Sequence, residues 1–109
     1  GVGGYIEFSI GQLSSAPQFI RESRFGRAEV GRILLVIVQD AWQHKGVGTE
    51  LTKRCLKHIK KTWPRTFAVY VTVAPNNTYA AKMYIAAGFK FAERGSVGKE
   101  VEDYYRYDF

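Results

Sequence analysis

The stretch from Ile33 to Lys61 constrains the fold more than any other. Ile33-Leu34-Leu35-Val36-Ile37-Val38 is apolar on both faces, which argues for a central strand covered on both sides. Val47 to Lys61 is amphipathic: Val47, Leu51, Cys55 and Ile59 recur at helical spacing with Leu56 beside them. Between the two lies Gln43-His44-Lys45-Gly46-Val47-Gly48-Thr49, a tight glycine turn that opens the helix. The first amides of a helix have no intrahelical partner, and the macrodipole is positive there, so the turn suits an anion such as a phosphate. Gly46 and Gly48 lack Cβ atoms and let a phosphate approach the backbone. Two familiar phosphate cradles are excluded. Leu51 stands where a dinucleotide fingerprint needs its third glycine, and no Gly-Lys-Ser/Thr ending makes a P-loop. A tight turn with no ligand remains the alternative reading of these residues taken alone.

The rest of the chain supplies a sheet around this unit. Tyr5 to Ile10 alternates, with Ile6, Phe8 and Ile10 inward, as in a half-buried strand. Gln12 to Gly26 has no clear period and reads as a loop with a short helical turn near Phe19. Ala28 to Val38 is a long strand. Trp63-Pro64 ends the helix, because proline disfavours a helical residue before it. Phe67 to Val73 is the next strand, so strand, helix and strand form a right-handed crossover with Val36 and Val71 on parallel neighbours. Asn76 or Asn77 can cap a second helix from Thr78 to Ala87, and Gly88 stops it. Phe89 to Arg94 is a strand, Gly95 to Gly98 a turn, and Val101 to Phe109 the last strand.

Bulk properties narrow the function. The 109 residues suffice for one domain with a modest core, and 46% hydrophobic content is too high for a disordered chain. No apolar run reaches membrane-spanning length, and no leader pattern is visible. The single Cys55 excludes an internal disulfide and fits a reducing, cytoplasmic compartment. One cysteine with His44 and His58 is too little for a structural zinc site, so no metal is expected. The net charge of +6 is clustered at Lys53, Arg54, Lys57, Lys60 and Lys61. A solvated helix face explains that cluster, and without an RNA- or DNA-binding motif it does not argue for nucleic acid.

Gln43-x-x-Gly46-x-Gly48 after a strand, with Asn77-x-x-Ala80-x-x-x-Tyr84-x-x-x-Gly88-Phe89 on the following helix, resembles the GNAT superfamily of acyl-CoA-dependent N-acyltransferases. The resemblance implies an α+β fold: a mixed, mostly antiparallel sheet with one parallel, splayed strand pair and two main helices. It implies one GNAT-like domain over 1–109 that begins after the family's usual N-terminal strand and helices. It also implies acetyl-CoA as cosubstrate and a primary amine as acceptor. The backbone of Gln43, His44, Lys45, Gly46, Val47, Gly48 and Thr49 would hold the coenzyme pyrophosphate, with the Thr49 hydroxyl adding to it. The backbone of Ile37 and Val38 would pair with the pantetheine arm like an added strand, with Asn77 beside it. Tyr84 would be the general acid for the departing thiolate; a packed aromatic is the plainer alternative.

The base is less legible. Where the family often carries a strand glutamate, this chain has Arg32. Glu29 lies at an odd offset from that position and would face the other way in a regular strand. Glu29 and Glu7 are the candidate bases, with Asp40, His44 and water relayed to backbone carbonyls as alternatives. Acidic residues in the last hairpin, Glu100, Glu102 and Asp103, could attract a cationic amine, although solvated charges explain them as well. A bare sheet edge and an open cleft favour self-association as a homodimer. A GNAT-like module that binds acyl-CoA or a partner without catalysis is the alternative to an enzyme.

Overall fold

The computed structural model describes residues 4–12, 14, 16–21, 29–38 and 46–109. The elements are β1 (Gly4–Gln12), α1 (Gln18–Arg21), β2 (Glu29–Val38), α2 (Val47–Thr62), β3 (Thr66–Val73), α3 (Thr78–Ala86), β4 (Lys90–Val97) and β5 (Glu100–Asp108). The five strands form one sheet in the order β1-β2-β3-β5-β4. β2 and β3 are parallel, and every other pair is antiparallel. This is the mixed sheet with one parallel pair and two main helices that the resemblance implies.

Both long helices pack on one face of the sheet. Cys55, Leu56 and Ile59 of α2 meet Ile33, Val69 and Val71 of the central strands and Tyr84, Ala87 and Phe89 from α3 and its exit. Each buried aliphatic side chain in this layer contributes about 1.5–3 kcal/mol. The buried stripe of α2 also takes in Gly48 and Thr52. Thr52 buries its hydroxyl at no unsatisfied cost, because Oγ1 donates to the Gly48 carbonyl at 2.8 Å. α2 stops at Trp63, whose amide donates to Ile59 O, and Pro64 follows. The opposite face carries a smaller cluster, with Ala16, Ile20 and Val30 buried beneath Phe19, Phe67 and Tyr70.

One boundary differs from expectation. β4 continues through Gly95 to Val97, and the turn is only Gly98-Lys99, with Val97 paired to Glu100. Gly98 at φ +62° supplies the left-handed backbone that so short a hairpin connection needs. Gly95 is instead a strand residue whose missing side chain makes room for the Tyr104 ring, 3.0 Å from where a Cβ would lie. Among the described residues no helix is long and apolar enough to cross a membrane.

Candidate functional site

The site begins with a defect in the sheet. β1 pairs with β2 from Gly4↔Val38 to Gln12↔Glu29, but Glu7 faces Leu35 while Phe8 faces Ile33. Leu34 is therefore the extra residue of a β-bulge. A bulge bends its strand and sharpens its twist. The parallel ladder with β3 ends at Arg32↔Tyr70, just before the bulge, although β2 runs on to Val38 and β3 to Val73. Beyond that point the two strands part, and the edge of β2 that faces β3 keeps backbone donors and acceptors for another extended segment. Ile37 and Val38 lie in this unpaired stretch, held on their other side by Tyr5 and Gly4. The apolar run did not disclose the bulge, since hydrophobicity on both faces hides the alternation that would reveal it. Leu34 is 52% exposed, unlike its neighbour Ile33 at 2%.

Gly46 caps α2 at φ +78°, a backbone conformation that disfavours any residue with a Cβ. Its carbonyl accepts from the Glu50 amide at 3.0 Å, while among the described residues no side chain caps the helix. The first-turn amides of Val47, Gly48 and Thr49 thus stand at the positive end of a 16-residue helix, and Gly46 has no side chain to compete for them. Gln43, His44 and Lys45 lie outside the described residues.

α3 brings the second motif to the parted strands. The Asn77 side chain accepts from the Ala80 amide at 3.1 Å and caps α3, which settles the choice between Asn76 and Asn77 as the cap. At the other end Gly88 takes φ +108°, and a Cβ there would meet the Tyr107 ring at 2.9 Å. Between them a cavity of about 290 Å³ is lined by Leu34 and Val36 of β2, Val71 and Val73 of β3, and Asn77, Met83 and Tyr84. Three residues of the second motif, Asn77, Ala80 and Tyr84, and the parted strand ends therefore share one cavity. Tyr84 is 5% exposed and packs edge-on against Phe89 at 5.5 Å. Burial pushes its phenol up to about 12, so it stays protonated and can donate. Burial likewise pushes the Cys55 thiol up to about 11; Cys55 is enclosed in the core rather than beside this cavity.

The acidic candidates divide. Glu29 stands at the N-terminal end of β2, five residues before the bulge, roughly 16 Å along a strand. Arg65 pairs with it at 3.3 Å. The structure does not bring Glu29 to the cavity, because the strand carries the bulge and the parting at its other end. Glu7 is exposed on β1 opposite Leu35, next to the bulge. Asp103 is buried and held by Arg94 through bonds of 2.7 and 3.2 Å, so it is committed within the hairpin and not offered to a cationic amine. Among the described residues no cluster of histidine, cysteine and carboxylate side chains could hold a metal ion. Asp40 and His44 lie outside the described residues.

Comparison with known proteins bears on this geometry. The model of the acetyltransferase (GNAT) family matches residues 4–89. The spermine/spermidine N(1)-acetyltransferase of Bacillus subtilis (strain 168) is 24% identical over 75 residues, covering 69% of this chain and 47% of that protein. Arabidopsis thaliana NAA60 in complex with acetyl-CoA superposes with a TM-score of 0.80 at 18% identity, covering 97% of this chain and 65% of that one. Aminoglycoside acetyltransferase AAC(6')-Ib in complex with coenzyme A and kanamycin gives a TM-score of 0.71 at 17% identity, over 95% of this chain and 59% of that one. The chain spans about half the length of the curated relative and under two thirds of these structures.

Proposed function

The chain belongs to the acetyltransferase (GNAT) family, and from that premise we propose that it transfers an acetyl group from acetyl-CoA to a primary amine. The observation that carries this reading is the single cavity shared by the parted ends of β2 and β3, Asn77 and Tyr84. The proposed coenzyme pyrophosphate sits on the amides from Gln43 to Thr49, where the α2 dipole favours negative charge. The pantetheine arm runs along the free edge of β2 at Ile37 and Val38, past Asn77. The thioester then lies beside Tyr84.

In the proposed reaction the amine nitrogen attacks the thioester carbonyl directly in a ternary complex. The N–C bond forms, the C–S bond breaks, the thiolate takes the Tyr84 proton, and the proton shed by the acylated nitrogen passes through solvent to restore the Tyr84 phenol. A phenol near 12 is a weak acid against a solvated thiol at about 8.5, but in this reading the thiolate leaves beside the same buried side chain. Desolvation raises a thiol too, as Cys55 illustrates, and narrows the gap. The amine must first lose a proton, because alkyl ammonium ions are not nucleophiles. Glu7, beside the bulge, is the carboxylate we assign to that step, directly or through water.

Calorimetry with acetyl-CoA tests the coenzyme half, and absence of binding at high micromolar coenzyme would sink it. An amine panel assayed for free coenzyme A tests transfer. Arg32, a cation where the family often carries a carboxylate, favours a second reading: a domain that binds acyl-CoA without catalysis. Coenzyme binding retained with no acylation across the panel would support that reading instead.

A further inference from the structure

The sheet face opposite α2 and α3 holds a second cavity, of about 210 Å³, at the start of the parting between β2 and β3. Ser9, Gln12, Arg32 and Tyr70 are its polar and aromatic lining. Ser9 lies directly across from Arg32, and Arg32 directly across from Tyr70, so the three form one row over three strands. That row is the last rung before the strands separate. The Arg32 guanidinium lies 5.8 Å from the centre of the Tyr70 ring. Tyr70 in turn neighbours Tyr104 at 6.4 Å, and Phe19 closes on Tyr104 at 5.5 Å. Burial lifts the Tyr70 phenol above its ordinary range, with Arg32 pulling it down and Tyr104 pushing it up.

Arg65, Arg94 and Arg106 each hold a carboxylate. Among the described residues, none pairs with Arg32. A guanidinium flanked by an aromatic ring, in a cavity that Ser9 and Tyr70 also line, has the chemistry to take a carboxylate in bidentate fashion. Glu7 lies on the same face of β1, two residues from Ser9, roughly 7 Å along the strand. The face thus presents an anion and a cation on neighbouring strands, the pattern that a small molecule bearing both charges would meet.

We propose that Arg32 selects acceptors whose primary amine lies within a few bonds of a carboxylate, such as a free acidic amino acid or a peptide that begins with one. This rests on the acetyl-transfer reading above. The acceptor carboxylate docks on Arg32 and the hydroxyls of Ser9 and Tyr70, while its ammonium faces Glu7. Polyamines are disfavoured, because a second ammonium would meet the guanidinium without compensation.

The test compares acceptors with saturating acetyl-CoA: a peptide led by aspartate, the same peptide led by asparagine, free glutamate, and spermidine. The expected result for the unaltered protein is a kcat/KM at least 10-fold higher for the aspartate peptide or free glutamate than for the asparagine peptide. Which of the two is better identifies the source. Arg32→Gln should bring the acid and amide peptides level, and Arg32→Glu should favour spermidine, with the acetyl-CoA dissociation constant unchanged in both. Equal rates on acid and amide in the unaltered protein, or an unchanged ratio in Arg32→Gln, would overturn the proposal. If no amine is acetylated, calorimetric binding of the aspartate peptide and glutamate decides. Binding weakened at least 10-fold by Arg32→Gln supports the proposal, and binding that is absent or unaffected overturns it. Failure of acetyl-CoA to bind would instead count against the coenzyme site, which Arg32 does not line.

Discussion

At the scale of single residues, Tyr84 is a packed side chain to which the proposed function gives a second, chemical role. Its ring is part of the core, and its place beside the parted strands puts it in the proposed reaction. The two roles separate experimentally. Tyr84→Phe keeps the ring, so the fold and acetyl-CoA binding should persist within about threefold while kcat falls roughly 10²-fold, the usual worth of a positioned proton donor. Single-turnover kinetics beside calorimetry makes the measurement, and an unaltered kcat would remove Tyr84 from the mechanism. Gly88 is a purely conformational case. Its φ of +108° and the Tyr107 ring 2.9 Å from a would-be Cβ leave an alanine nowhere to go, since that ring is flanked by Phe89 and Phe109. Gly88→Ala should cost about 1–3 kcal/mol in urea unfolding. Asp103 links a residue to pH. Arg94 holds its carboxyl below the ordinary carboxylate range, with its hydrogen bonds the larger cause. A lowered folded-state pKa means stability that is fully present above the unfolded value, about 3.9, and lost as pH falls through the folded one. Asp103→Asn should therefore be less stable than the unaltered chain at neutral pH, with the difference shrinking below pH 4 in chemical unfolding series.

At the scale of elements, the sequence was readable where a rule is local. Gly46 before an amphipathic run, Asn77 as a cap and Gly88 as a stop each obey backbone geometry within a few residues, and all three are found. The shared cavity could be anticipated only through the family resemblance, because it depends on contacts between β2, β3 and α3. The bulge at Leu34 was illegible, since the extra residue sits in an apolar run where either face accepts any side chain. Glu29 makes a related point: offset from Arg32 says which face a side chain takes, but not which end of the strand opens. The bulge makes a specific claim about β2. Removing Leu34 leaves Ile33 and Val36 on the same face, now two residues apart, so the core face is preserved. A straightened β2 can extend its ladder with β3 past Arg32↔Tyr70. The shortened chain should fold with an unfolding temperature equal to or above the original, yet lose acetyl-CoA binding at least 10-fold. Full binding in that variant would show that the parting of the strands has another cause.

At the scale of the whole molecule, charge and ligand stabilisation come together. The chain carries a net charge of +6, much of it on the exposed face of α2 whose N-terminus is the proposed phosphate site. In the proposed complex the charge would draw in an anionic coenzyme by a long-range field, which salt screens over about 8–10 Å, while the helix amides would hold the phosphates at contact. A ligand that binds only the folded chain stabilises it by about 2.7 kcal/mol at 100 times its dissociation constant. For a domain of this size, each kcal/mol shifts the unfolding temperature by roughly 4–8 °C. Acetyl-CoA at that ratio should therefore raise the midpoint by roughly 10 °C or more in differential scanning calorimetry. S-acetylpantetheine carries the same thioester and arm without the phosphates. If the first turn of α2 grips the pyrophosphate, this analogue at the same concentration should give less than half the shift, and the difference should narrow as salt rises. Equal shifts from the two would mean that the parted strands alone bind the coenzyme arm, and that the glycine turn contributes only the geometry of the strand-to-helix connection.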